Sequence, residues 1–227
     1  MITTRRSLIA GTGAALATPL FASMPAFANT GSRTYSVSRG GRELGVQSIS
    51  VQRSGDETIV DLEARINGTI LVVKIDYLLK SREVWKGQVL QSIDSTTTQN
   101  DESFFVKARR TDGGLDVKST KFNGLVEGNP GTSTIFVPDI MDRRIWVSTQ
   151  SGRPLKVAVE NRGRVAFKLG EQSIDATHYY CGGDLRFPID AYFRDDGELI
   201  AFFIEAFGRK NQFVASELSQ PLRPLWA

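Results

Sequence analysis

The sequence predicts a mainly β protein, an antiparallel meander forming an open or half-closed barrel within a single domain. Three observations predict it. Turn signals such as Gly40-Gly41, Ser54-Gly55-Asp56, Asp112-Gly113-Gly114, Ser151-Gly152 and Phe207-Gly208 recur at short intervals, which is the spacing of hairpin-linked strands rather than of βαβ units. Between them, apolar and polar residues alternate with period two, so each segment offers one side to a core and the other to water. No interior stretch sustains a helical period.

The chain opens with Thr4-Arg5-Arg6-Ser7-Leu8, a weakly apolar run to Pro25, and a small-x-small exit at Ala26-Phe27-Ala28. Charge, short apolar run and small residues in that order describe a cleaved export leader over 1–28, not a membrane anchor. The paired arginines and Leu8 fit a twin-arginine leader. Arg5 and Arg6 are its recognition residues, Ala28 precedes the cut, and the twin-arginine translocase is the partner during export. The remainder, 29–227, is expected to be one soluble β-rich domain in the periplasm. Its longest apolar runs, Ile70 to Val73 and Leu199 to Ile204, are too short to span a bilayer.

The whole chain carries 28 basic and 25 acidic residues, and the leader removes two basic and no acidic ones. The near-neutral remainder gives no reason to expect nucleic acid or an anionic membrane as partner. Arg109-Arg110 and Arg143-Arg144 lack basic flanks and read as solvated strand or loop ends. Cys181 is the one cysteine, so no internal disulfide can form. The core alone must hold the fold, and the length permits that.

In Ile59 to Asn67, the residues Val60, Leu62, Ala64 and Ile66 share one face, with Asp61, Glu63, Arg65 and Asn67 on the other. The next segment groups Leu71, Val73, Ile75, Tyr77 and Leu79, joined by Trp85 if no bulge intervenes. Asn67-Gly68 between them is a two-residue hairpin signal. Pro138 to Arg144 lacks alternation and predicts a short helical or irregular piece. Near the C-terminus, Asp196-Gly197 read as a type I′ turn pairs Asp195 with Glu198. That register sets Phe193 opposite Ile200, Ala191 opposite Phe202 and Ile189 opposite Ile204. The other face pairs Arg194 with Leu199, Tyr192 with Ala201 and Asp190 with Phe203. Leu199 to Ile204 is apolar on both faces, so it is a strand covered on both sides or one lining an apolar cavity. Residues 220–227 form an irregular tail, pinned by Trp226.

Catalytic and metal chemistry find little material. One histidine, His178, and one cysteine cannot build a zinc or copper site from the usual ligands. No metal or cofactor is expected. His178 and Cys181 are three apart, an odd spacing that puts them on opposite faces of a strand. No Gly-x-Ser-x-Gly elbow exists, and Gly182-Gly183 lacks the helix that a dinucleotide cradle requires. No catalytic residue is assigned. Glu83, Asp94, Asp184 and Asp190 are available for carboxylate chemistry, but nothing pairs them.

Four short blocks carry a family resemblance. They are Tyr35-Ser36-Val37 with Gly41, Leu44-Gly45 and Gly55-Asp56; Glu83-Val84-Trp85 with Gly87; Asn129-Pro130, Thr132-Ser133, Thr149 and Gly152; and Gly183-Asp184-Leu185 with Tyr192-Phe193 and Asp196-Gly197. Together they resemble an exported Gram-negative family catalogued as domain of unknown function 6134. The chain departs from the family pattern at Phe136-Val137, where that pattern has Trp-Asn, and at Tyr192-Phe193-Arg194, where it has Trp-Tyr-Asp. Related families are similar to the curved antiparallel sheets of envelope lipid and lipoprotein carriers. The resemblance therefore implies an apolar ligand, by fold-level analogy. The first reading is a non-enzymatic periplasmic protein holding a lipid-like ligand in a concavity walled by Tyr77, Trp85, Phe193 and Phe202. The alternatives are a carboxylate-based hydrolase of an envelope polymer and an interaction protein using a sheet edge.

Overall fold

A computed structural model describes residues 29–70, 73–206 and 208–226. The leader, with Arg5, Arg6 and Ala28, lies outside them, as does Leu71. The described chain is one sheet of fifteen strands. Eight come first: β1 (Asn29–Arg39), β2 (Arg42–Ser54), β3 (Glu57–Ile70), β4 (Val73–Lys86), β5 (Val89–Gln99), β6 (Glu102–Thr111), β7 (Gly114–Ser119) and β8 (Asn123–Glu127). Two short strands follow, β9 (Gly131–Thr132) and β10 (Ile145–Val147), flanking a 3-10 turn at Ile140–Asp142. The last five are β11 (Pro154–Leu169), β12 (Gln172–Gly183), β13 (Ile189–Arg194), β14 (Leu199–Ala206) and β15 (Arg209–Ala215).

The order across the sheet is β8 down to β1, then β15 down to β9. Every neighbour is antiparallel except the β9–β10 pair. All neighbouring strands are consecutive in sequence apart from β1 and β15, which join the two halves through Tyr35↔Ala215 to Arg39↔Asn211. The two free edges, β8 and β9, are themselves consecutive in the chain. The sheet thus follows the circuit of an up-and-down barrel and is left unclosed at one seam. Ladder hydrogen bonds are replaced there by two arginines. Arg110 donates to the Gly128 carbonyl (2.6 Å) and the Asn129 side chain (3.1 Å). Arg143 donates to the Asn129 and Pro130 carbonyls and to Asp139. These two arginines are therefore not solvated ends. Arg143 is buried, and only Arg109 and Arg144 face water.

The inner side is filled by the chain's own middle. Segment 130–150 crosses the concavity and buries Ile135, Val137, Ile140, Trp146 and Val147 among Val106, Leu115 and Val117. Ser95 Oγ donates to the Thr149 carbonyl (2.6 Å) and anchors this segment to β5. Pro138 to Arg144 carries the 3-10 turn, in keeping with its broken alternation. The tail packs into this core through Leu222, with Leu225 and Trp226 against it. Trp226 meets Trp85 edge-on at 5.8 Å, and Thr58 donates to the Leu225 carbonyl.

The strand faces follow the alternation: Val60, Leu62 and Ala64 are buried, while Arg65 and Asn67 are exposed. Two turns do not. The β3–β4 pairing continues through Asn67↔Asp76 to Ile70↔Val73, so Asn67-Gly68 is strand, not turn. Gly68 is there because Leu44 packs on it; a Cβ would stand 2.6 Å from Leu44 Cδ2. At the C-terminal hairpin only Gly197 has positive φ (82°), whereas a type I′ turn needs two such residues. Gly197 N–H donates to the Arg194 carbonyl and Arg194 N–H to the Glu198 carbonyl, giving a three-residue loop with a bulge. Ile189↔Ile204, Ala191↔Phe202 and Tyr192↔Ala201 pair as expected, but Phe193 pairs with Leu199. The extra residue reverses the last step. Leu199 enters the main core, and Ile200 joins an outer cluster with Ala176 and Ala201. That cluster explains the two-sided apolarity of β14. The long β11–β12 hairpin carries Phe167 to 4.9 Å from Tyr192 and 6.2 Å from Phe203, covering the outer face.

Candidate ligand-binding cavity

Joining the two halves through β1 and β15 brings inward-facing side chains of β1–β4 opposite those of β13–β15. Between them lies a cavity of about 380 Å³, within the usual range for small-molecule sites of roughly 300–1,000 Å³. Leu62, Ala64, Leu79, Phe202 and Phe213 form its apolar depth. Phe202 is stacked on Phe213 with ring centroids 4.3 Å apart. Ser133, Thr134 and Thr149 bound it on the side of the crossing segment, and Gln150 Nε2 donates to Gln99 Oε1 (2.8 Å) at one margin. Among the described residues, Arg39 and Arg186 are its two charged lining residues, and no carboxylate lines it.

The four aromatics named from the sequence divide. Tyr77 and Phe202 line the cavity. Burial pushes the Tyr77 hydroxyl up to about 12, because the phenolate would be poorly solvated there. Trp85 is fully enclosed, donates from Nε1 to Glu83 (3.0 Å), and has the Arg143 guanidinium over its ring at 5.4 Å. Phe193 faces a separate small crevice with Leu222 and Trp226. Arg39 was not singled out from the sequence, although β1 carries a signal. Period two puts Arg33, Tyr35, Val37 and Arg39 on one face, and all four are buried.

Behind Thr134 lies Glu83, named from the sequence as an available carboxylate and here buried. Its carboxylate accepts hydrogen bonds from Thr134 (2.8 Å), Thr132 (3.1 Å) and Trp85, and it makes no ion pair among the described residues. Burial pushes it up from 4.5 to about 7, against those three donors. Below 4.5 both folded and unfolded chains hold the proton, and the group carries no penalty. As pH rises toward 7 only the unfolded chain releases its proton, so stability falls. The loss reaches about 3 kcal/mol at about 1.4 kcal/mol per unit. Glu83→Gln keeps an acceptor for Trp85 and is expected to flatten this dependence. Urea melts of both proteins at the two ends of the window check it. A wild-type minus variant difference that does not move with pH overturns it.

The remaining carboxylates are dispersed. Asp94 lies on the outer face in an open trough with Asp61 and Glu63. Asp61 is held there by a bidentate Arg82, and Arg65 first and Lys80 next hold Glu63 below the usual carboxylate range. A general acid needs the opposite shift. Asp184 accepts from the Lys156 backbone. Asp190 binds His178 (2.8 Å) and Lys210 (3.0 Å) on the outer face, and His178 stacks on Tyr192 at 4.6 Å. Cys181 points the other way, buried beside Met141, its thiol pushed up to about 12 by burial and then by the charge of Asp190. Histidine and cysteine therefore stand on opposite faces, as their odd spacing requires.

An open, barrel-like β domain with an apolar chamber is what this fold and its cavity define. The family model described as Domain of unknown function (DUF6134) matches residues 35–216, and the chain belongs to that family. All four sequence blocks reach into that span. Among solved structures, a crystal structure of a β-barrel-like protein of domain of unknown function DUF1849 from Brucella abortus is similar. Its TM-score is 0.56 at 10% identity, over 81% of this chain and 94% of that one. At that identity the likeness establishes the fold alone. No curated protein matches the chain.

Proposed function

We propose that this protein is a non-enzymatic binder of an apolar, lipid-like molecule, acting in the periplasm after export by the twin-arginine route. The observation that carries the binding reading is the cavity of about 380 Å³ between the two halves of the sheet. Interiors are normally packed to crystal-like density with few voids larger than a water. Such a volume, with an apolar depth and polar side chains along its margins, fits a small-ligand site. The dispersed carboxylates give the hydrolase reading no comparable support.

Ala64→Phe tests it. Ala64 is buried on β3 between Leu62 and Ile66, and a phenyl ring there occupies cavity volume. The wild type is expected to bind a fluorescent long-chain fatty acid in equilibrium titration. The variant is expected to melt as a folded protein and bind at least about 10-fold more weakly, the loss of one well-placed apolar contact set. Absence of probe binding in wild type, or undiminished binding in folded Ala64→Phe, overturns the proposal.

A further inference from the structure

Resting on that reading, we propose that the ligand is an amphiphile with a single anionic head, a carboxylate or phosphate monoester, held by Arg39 at the rim while its apolar chain fills the depth.

The polarity of the cavity carries this. Arg39 closes β1, one inward-facing step beyond Val37 and immediately before the exposed turn at Gly40-Gly41. Val37 packs in the main core. The cavity wall therefore passes from apolar to cationic within about 7 Å, the length of two strand residues. Arg39 is only 8% exposed, yet among the described residues its guanidinium has one hydrogen bond, from Nη2 to the Ala206 carbonyl (3.2 Å). Its Nη1 is buried with no hydrogen-bond partner among the described residues.

The contrast with Arg33 on the same strand face is direct. Arg33 is equally buried and is paired with Glu198 at 2.6 Å. Among the described residues, Arg39 makes no ion pair and no acidic side chain lines the cavity it borders. A buried guanidinium without a counter-ion is costly, and an anion placed beside it recovers that cost. Arg186, on the exposed loop after β12, also lines the cavity and adds positive potential without burial. A neutral sterol or hydrocarbon would leave Arg39 uncompensated. A headgroup anion alone would leave the apolar depth unused.

The test compares three probes differing only at the head: a long-chain fatty acid, the matching alkyl phosphate, and the fatty-acid methyl ester. Wild type is expected to prefer one or both anions over the ester by about 10- to 100-fold, the range for a hydrogen bond to a charged group. Which anion leads identifies the head. In Arg39→Gln that preference is expected to collapse to near parity while ester affinity holds. Arg186→Gln is expected to retain most of it. If Arg39→Gln does not fold, the wild-type ratio of anion to ester and the Arg186→Gln ratio decide. Equal binding of ester and anions in wild type overturns the headgroup assignment and leaves the cavity reading standing. Loss of the preference in Arg186→Gln but not in Arg39→Gln overturns the role given to Arg39. No binding of any probe defeats the underlying reading itself.

Discussion

Glu198→Ala is expected to destabilise the protein by about 3–5 kcal/mol, the loss that follows when one partner of a buried ion pair is removed. Glu198 and Arg33 are almost wholly enclosed, with their side chains 3% and 2% exposed. Three structural elements meet at this carboxylate. One oxygen takes Arg33 Nη1 at 2.6 Å, and the other takes the Arg223 backbone N–H of the tail, also at 2.6 Å. Arg33 in turn donates to the Gln220 carbonyl (2.8 Å). The alanine variant therefore strands a buried guanidinium and unties the tail together. Replacing both partners, as Arg33→Met with Glu198→Leu, is expected to recover most of the loss, because no charge then remains buried. Denaturant melts of the two single variants and the double variant form the check. A double variant no more stable than Glu198→Ala would show that tail docking, not the stranded charge, sets the cost.

Phe202→Ala is expected to cost a similar amount, about 3–5 kcal/mol, as large-to-small changes at buried aromatics do. Its ring is 5% exposed, stacked on Phe213 and 6.0 Å from Tyr35. Because it also borders the cavity, apolar probe binding is expected to change with it. Phe203, its neighbour on the outer face, lies half-buried against Tyr192 and Phe167, and Phe203→Ala is expected to cost clearly less. A larger loss for Phe203→Ala would reverse the assignment of the two faces of β14.

Alternation made the strands and their faces legible because burial acts residue by residue along one segment. Leu62 and Ala64 go inward for the same reason that Arg65 goes outward. The two turn errors came from glycine, whose presence does not reveal which demand it meets. At Gly197 the demand is a single left-handed residue after two ordinary ones, and at Gly68 it is room for Leu44. The cavity was legible only in part. Tyr77 and Phe202 stand on strands from opposite halves, and only the β1–β15 pairing brings them to one chamber. Period two marks Arg39 and Glu83 as inward positions, but it does not say what they meet there, because Thr132 and Thr134, which bond Glu83, lie far along the chain.

That same junction sets an order of assembly. Ser36 and Val214, joined across it by a hydrogen bond, are 178 positions apart in sequence. Hairpins within each half close short loops, but this strand pairing closes a far longer one and bears a correspondingly larger loop entropy. During synthesis the first strand emerges with one edge unpaired and stays so until the last strand has left the ribosome. An unpaired edge of that length invites pairing with other chains. A nascent chain stopped short of β15 is thus an open template rather than a slightly shortened protein. Completion of the sheet waits on β15, and until then the exposed edge of β1 is what must be kept from other chains.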